Sequence, residues 1–558
     1  STFDGNERRK MKEFNLVSPR LEVEIHLPDG RVLSGPRGAA VGDFLSAIPH
    51  DSQLVGAVIN GDLRELTFPV GMDSRVTPVT MSTPDGTRIY RRSLTFLLEM
   101  VFADMYPLAT LFIDHSVATG GFYCEVKGRE PLSVSELGVL KVLMRKFVKD
   151  DLPFARKEVP LKEAMDYFLA RGEEDKVQLL KYRKKNYLTL YSLNERMDYH
   201  HGYMVPSTKY LQWFDLVPAG DGFTLLYPSR RNPNELSPTS EYPKLLATFL
   251  QYGDWLEKLG ISNVGALNNA IESGHGDEIV LVSEAFHEQR LAQISRQIAD
   301  RIDRSHVILV AGPSSAGKTT FSRRLTVQLL ALGISPFPLE LDNYFLSRNE
   351  TPLGEDGKPD FEALEALDLA LLADHLQKLI HGDEVQLPRY NFKTGQREAG
   401  EVIRLARGQP IILEGLHGLD PRLIPKSLSG EAFRIYISPL TQLNLDRHNR
   451  VSTTDTRLLR RIVRDARERG YTATQTISRW ESVRRGEAKY IFPNQENADV
   501  MFNSALVYEM AALKPLAEPL LRQVQFGAPE YIEAKRLLAF LEWFVPLDLN
   551  LVPETSLL

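Results

Sequence analysis

The stretch "AGPSSAGKTT", residues 311–320, constrains this chain more than any other. It satisfies the pattern G-x-x-x-x-G-K-[ST], follows the apolar run "HVILVA", and precedes "TTFSRRLTVQLLALG", whose apolar residues recur at helical spacing up to Gly333. A strand, a glycine-rich turn and a helix in that order make a phosphate cradle. The glycines let backbone N–H groups close on phosphate oxygens, and the helix N-terminus adds positive potential. The residues expected to line it are Gly312, Pro313, Ser314, Ser315, Ala316, Gly317, Lys318, Thr319 and Thr320. Lys318 is expected to reach the outer phosphates and the Thr319 hydroxyl to ligate Mg²⁺.

Beyond this loop, strand-like and helix-like segments keep alternating. "PFPLELD" reads as a strand ending at Asp342, residues 364–380 as a helix stopped near Gly382, and "PIILEG" as a buried strand ending at Glu414. "AFRIYIS" and "ADVMFN" read as two more strands. The expected fold class is α/β, a parallel sheet with helices on both faces, and ligands bind such sheets beyond the carboxyl ends of the strands. Asp342 and Glu414 fall where a base and a metal ligand are needed. The segment "DTRLLRRIVRDARERG" then crowds Arg457, Arg460, Arg461, Arg464, Arg467 and Arg469 onto a few helical turns. Like charges at that spacing repel in a solvated helix. Guanidinium groups gathered over a triphosphate account for them more simply.

About three hundred residues precede the loop, and at 558 residues the chain calls for three or four folding units. No tract of eighteen apolar residues occurs, so no transmembrane helix is expected. The polar start "STFDGNERRKMKEF" lacks an apolar signal core, which makes the cytoplasm the expected location. A net charge of -6 gives no overall reason to bind nucleic acid. The single cysteine, Cys124, excludes an intramolecular disulfide and a cysteine-based zinc cage.

Taken together, "AGPSSAGKTTF", "LDNYF", "DFEALEALD", "LPRYNFKTGQRE", "ILEGLHGL" and "DTRLLRRIVRDARERG" resemble the uridine–cytidine kinases, within the wider uridine kinase/phosphoribulokinase group. The resemblance covers residues 304–515. It implies ATP and Mg²⁺ as cofactors, Asp342 as the base that accepts a hydroxyl proton, and Thr319, Asp342 and Glu414 as the metal set. It places Lys318, Arg464 and Arg469 on the phosphates. The acceptor pocket it implies comprises Tyr344, Glu362, Tyr390, Phe392, Arg397, Arg461, Tyr471 and Arg479. Within that pocket Glu362 replaces an aspartate, Gly395 replaces the base-reading histidine, and Tyr471 and Arg479 stand where arginine and glutamine are usual. The expected reaction is phosphorylation of a hydroxyl on a nucleoside or nucleoside-like small molecule. A sugar phosphate acceptor is one alternative, and an RNA-binding, translation-linked role with regulatory nucleotide is another.

The preceding residues resemble two modules of threonyl-tRNA synthetases. Residues 21–82, with "LEVEIHLPDGRVLSG" and the hairpin signal "INGDL", are similar to a β-grasp TGS domain. Residues 83–240, with "YRRSLTFLLEMVFADMYPLA", "GGFYCEV" and "DYHHGYMVPST", are similar to the editing domain. The four positions of that domain's H-x-x-x-H and C-x-x-x-H pairs fall on Arg92, Phe96, His200 and Met204, so no editing is expected. His200 and His201 remain candidate metal ligands. Residues 241–303 read as a helical bridge, and 516–558 as a C-terminal helical extension after a polar tail at 1–20. A homo-oligomer is expected, with RNA contact by the N-terminal modules left open and no membrane contact.

Overall fold

The computed structural model describes residues 17–558 apart from 118, 119, 355, 356, 358, 392 and 431. Phe392 and most of the polar tail thus lie outside the described residues.

Alternation in "LEVEIHL" places Val23 and Ile25 inward, and the strand Glu22–His26 pairs antiparallel with Val32–Pro36 and parallel with Ser74–Thr80. With Leu54–Ile59 and Asp62–Glu65 these form a five-stranded sheet around one short helix, Val41–Leu45. Asn60 and Gly61 both take positive φ, 50° and 90°, the backbone that a two-residue hairpin turn requires.

The next module hangs on the helix Pro84–Met105, capped by the Thr83 side chain and buried along most of its length. It packs with a four-stranded antiparallel sheet built from Thr110–Val117, Gly121–Lys127, Asp215–Ala219 and Gly222–Leu226. A three-stranded sheet, Ala155–Pro160, Tyr187–Leu193 and Arg196–Asp198, completes it. The bridge is three helices: Pro243–Leu259, Val264–Glu272 and Gly276–Ala299.

The phosphate-loop sheet is five-stranded and parallel, in the spatial order Phe337–Glu340, Ile411–Glu414, Val307–Ala311, Ala432–Ser438, Val500–Asn503. Every residue of Val307–Ala311 is buried, as a central strand covered on both faces demands. The helix expected over 364–380 is instead a short 3₁₀ turn, Leu364–Ala366, followed by the helix Leu369–His381. The Asp368 side chain accepts from the Leu371 N–H and so fixes the later start. "LPRYNFKTGQRE" belongs to a two-stranded hairpin, Glu384–Asn391 with Gln396–Arg404, that stands outside the sheet.

One hydrophobic core crosses the expected boundaries. Phe168 and Leu190 of the N-terminal module, Leu267 of the bridge, Leu458 and Ile462 of the arginine helix, and Leu537 and Leu541 of the C-terminal helix Tyr531–Leu541 belong to the same cluster. Arg536 reinforces the junction. Its guanidinium meets Asp455, at the start of the arginine helix, at 2.7 Å and Glu533 at 2.6 Å, and Glu533 meets Arg88 of the N-terminal module at 3.0 Å. Arg536→Ala would leave those carboxylates short of a cation in a largely buried place, a loss of about 3 kcal/mol. The thermal unfolding midpoint of the full chain should fall clearly, with Arg536→Lys intermediate.

Candidate active site

Ser315 and Gly317 take left-handed φ of 58° and 91°, which folds the loop over the first turn of the helix Lys318–Ala331. The N–H groups of that turn have no helical partners, the source of its affinity for anions. The Ser315 hydroxyl is buried without a hydrogen-bond partner among the described residues. Lys318 Nζ turns back to the carbonyl oxygens of Gly312 and Pro313, at 2.9 and 3.2 Å. Burial lowers the Lys318 pKa, while Glu414 and Asp342 oppose the shift. This donor set, a lysine, an unpartnered hydroxyl and free helix N–H groups, fits nucleotide phosphates.

Glu414 closes the strand Ile411–Glu414, and the Thr319 hydroxyl donates to its Oε1 at 2.7 Å. A hydroxyl and a carboxylate side by side at the loop suit Mg²⁺. Burial raises the Glu414 pKa, against the Thr319 hydrogen bond and Lys318. Asp342 lies two residues beyond the strand expected to end at it, which stops at Glu340, on the 3₁₀ turn Leu341–Tyr344. The residue is exposed to solvent. The protein around it nevertheless raises its pKa, with Lys318 and Arg469 pulling the other way.

The arginines divide into three groups. Arg457 and Arg460 do not hang over the loop but are buried beneath it. Arg457 meets both oxygens of the buried Glu487, at 2.6 and 2.8 Å, and reaches the Ser314 carbonyl at 3.2 Å. Arg460 pairs with the buried Glu509 and with the Ser504 carbonyl, and the Ser504 hydroxyl donates to the Ala316 carbonyl at 2.6 Å. Arg461, Arg464 and Arg469 gather on Asp465, at 3.3, 2.8 and 3.4 Å. Arg467 points outward to Glu468. Ser314 is a correction as well. Its N–H goes to Glu487 at 2.8 Å and its hydroxyl accepts from Arg461 at 2.8 Å, so both are spent on the protein.

The acceptor residues expected from the sequence are scattered. Tyr344 is fully buried with its hydroxyl 3.1 Å from His375, a core position and not a pocket wall. Tyr390 is also buried, its ring edge-on to Phe345, and Arg397 pairs with Asp368 at 2.7 Å. Arg479 stacks on Tyr471, 4.7 Å from the ring centre, and both stand at the far end of the arginine helix. Glu362 is the one acid of the expected acceptor set. It packs on Gly486, where an added Cβ would come within 2.9 Å of its side chain, and Arg461 lies close enough to counter the rise in its pKa.

Sequence reasoning missed Glu487, Gly486 and Arg348. Gly395 does not leave a gap: it sits at φ 70°, and a Cβ there would lie 2.9 Å from the Arg348 guanidinium nitrogen Nε. A histidine at 395 would meet both an unfavourable backbone and that arginine. Nothing in the local sequence links residues so far apart.

Residues 307–511 match the family described as "Phosphoribulokinase / Uridine kinase family". They form a P-loop kinase domain of that family, fused to N-terminal modules similar to those of threonine–tRNA ligases. A uridine kinase of Oceanobacillus iheyensis is 29% identical over 197 residues, 35% of this chain and 84% of that one. A threonine–tRNA ligase of Geobacter sp. (strain M21) is 29% identical over 198 residues, 35% of this chain and 31% of that one. The chain therefore spans about a third of the length of the ligases it matches. Among solved structures, a possible uridine kinase from Bacillus stearothermophilus aligns at 18% identity over 37% of this chain and 99% of that one, with a TM-score of 0.24. No helix among the described residues is long and apolar enough to cross a membrane.

Burial and the neighbouring Glu487 raise the Glu362 pKa from 4.5 to about 7. Between those values the folded kinase domain holds a proton that the unfolded chain has lost. Stability should therefore fall as pH rises through that window. Glu362→Gln should flatten this dependence in denaturant unfolding measured across it. An unchanged slope would remove Glu362 as its source.

Proposed function

We propose that the kinase domain transfers the terminal phosphoryl group of ATP to a hydroxyl of a nucleoside or nucleoside-like small molecule. The observation that carries this reading is the contact between the Thr319 hydroxyl and Glu414 at the mouth of the phosphate loop, with Asp342 and Lys318 beside it. Mg²⁺, held by Thr319, Glu414 and Asp342, would neutralise charge on the nucleotide phosphates. Lys318 exchanges its carbonyl partners for phosphate oxygens. Asp342, its pKa raised by the surrounding protein, accepts the acceptor's hydroxyl proton. Arg461, Arg464 and Arg469 supply positive charge beside the loop, and Asp465 holds them in one place until substrate competes for them. Glu362, once ionised, would accept from a ribose diol.

A second reading, an acceptor that already carries phosphate, draws on Arg348, which brings a guanidinium to Gly395 where the uridine–cytidine kinases place an imidazole. The two readings separate in kcat/KM for uridine, cytidine, a purine nucleoside and a sugar phosphate. Preference for a nucleoside supports the first. Preference for the sugar phosphate, lost on Arg348→Ala, supports the second. Asp342→Asn should cut kcat by about 10² to 10⁴ while nucleotide binding persists. Near-normal turnover on the preferred acceptor would remove Asp342 from the proton transfer.

A further inference from the structure

The kinase segment 439–452, between the strand Ala432–Ser438 and the arginine helix Thr453–Arg469, is plugged into the editing-like module. The Ile113 N–H donates to the Arg447 carbonyl at 2.8 Å, Arg447 grips Asp175 at 2.6 Å, and the Tyr199 hydroxyl donates to Asp446 at 2.9 Å. At the centre of this joint lie Glu99 from the helix Pro84–Met105, Asp198 and His200 from the hairpin and its exit, and His448 from the kinase. Their exposures are 1%, 0%, 6% and 6%.

The donor atoms converge. Ligand atoms of Glu99, Asp198 and His200 all lie within 4.8 Å of one another. Glu99 Oε2 is 3.3 Å from His200 Nε2 and 3.3 Å from His448 Nδ1, and His448 Nδ1 is 3.2 Å from Asp198 Oδ2. Neither Glu99 oxygen has a hydrogen-bond partner among the described residues, and neither does His200 Nε2. Leaving a buried carboxylate unsatisfied is costly, and native proteins rarely do so without a ligand to explain it. The nearest ammonium does not resolve it, because Lys176 spends its contacts on Asp198, Glu173 and His448. The positions equivalent to the editing pairs do not resolve it either. Phe96 lays its ring 5.3 Å from His200, Met204 is buried, and Arg92 reaches over Gly202 to the Tyr203 carbonyl at 2.5 Å. His201 turns away at φ 51° to pack on Trp543, 4.7 Å between rings.

We propose that Glu99, Asp198 and His200 bind a first-row divalent metal ion, with His448 of the kinase segment as fourth donor in place of its hydrogen bond from Lys176. Two carboxylates and two imidazoles suit Zn²⁺, with Fe²⁺ and Mn²⁺ as lesser fits. The Tyr199 N–H, 2.7 Å from Asp198 Oδ1, orients that carboxylate from behind. The ion would fasten the editing-like module to the segment that leads into the arginine helix.

The test uses the full chain without nucleotide, stripped of metal, equilibrated with Zn²⁺, desalted and analysed for bound metal. About one Zn²⁺ per chain is expected, with a raised thermal midpoint that a chelator reverses. Co²⁺ in its place should give visible ligand-field absorption. Glu99→Gln combined with His200→Asn should abolish both signals, whereas His201→Ala and Glu414→Gln should retain the metal. Should the double variant misfold, His448→Gln reads the same site from the kinase side through an altered Co²⁺ spectrum. Absence of bound metal in the native chain overturns the proposal. So does equal binding by a folded double variant, or loss of the metal only with Glu414→Gln.

Discussion

The arginine helix is fixed by two buried ion pairs on its inner face, and the phosphate loop rests on them. Arg457 with Glu487 and Arg460 with Glu509 take full charges out of water, which stabilises only when each is paired and hydrogen-bonded. Both arginines are paired and each also donates to a backbone carbonyl, Ser314 for Arg457 and Ser504 for Arg460, while Arg457 Nε has no partner among the described residues. Glu487 turns its own oxygen to the Ser314 N–H. The loop's outer rim is thereby set by helices far along the chain, while its inner donors stay open. The arginines that hold the loop and those that gather on Asp465 are different residues of one helix.

The same helix presents Leu458, Leu459 and Ile462 to a core shared with the N-terminal module, the bridge and the C-terminal helix. Its position is set by all of them at once. The editing-like module has its own sheet and long helix, and the positions equivalent to the editing pairs are occupied by packing, beside the joint with segment 439–452. That module is consequently part of the scaffold that positions the arginine helix.

Much of the sheet was legible in the sequence because its signals are local. Apolar runs such as "HVILVA" and "PIILEG" admit few readings once a phosphate loop lies between them, and Asn60-Gly61 announces its own turn. Asp342 and Glu414 were expected from the rule that such sheets work at their carboxyl ends, and they lie on a 3₁₀ turn just past one strand and at the end of another. The errors were of another kind. Six arginines on one helix looked alike, and only the fold separates Arg457 and Arg460, which meet buried glutamates, from Arg461, Arg464 and Arg469, which do not. Tyr344 reads as a pocket residue by motif, yet its neighbour His375 draws it into the core. Arg348 and Gly395 meet because a loop and a hairpin end happen to adjoin, which no spacing rule encodes.

The plugged joint also bears on how the chain is made. The cleft that receives segment 439–452 is complete in sequence by residue 264, where the Val264 N–H meets the Asn444 carbonyl, so it leaves the ribosome about 175 residues ahead of its filling. At about 5–20 residues per second, the wait is roughly ten to forty seconds. During that time Glu99, Asp198 and the apolar wall around Tyr199 have no kinase segment to cover them. The N-terminal module is thus synthesised as a half-built interface, and its maturation is tied to a partner lying further along the same message.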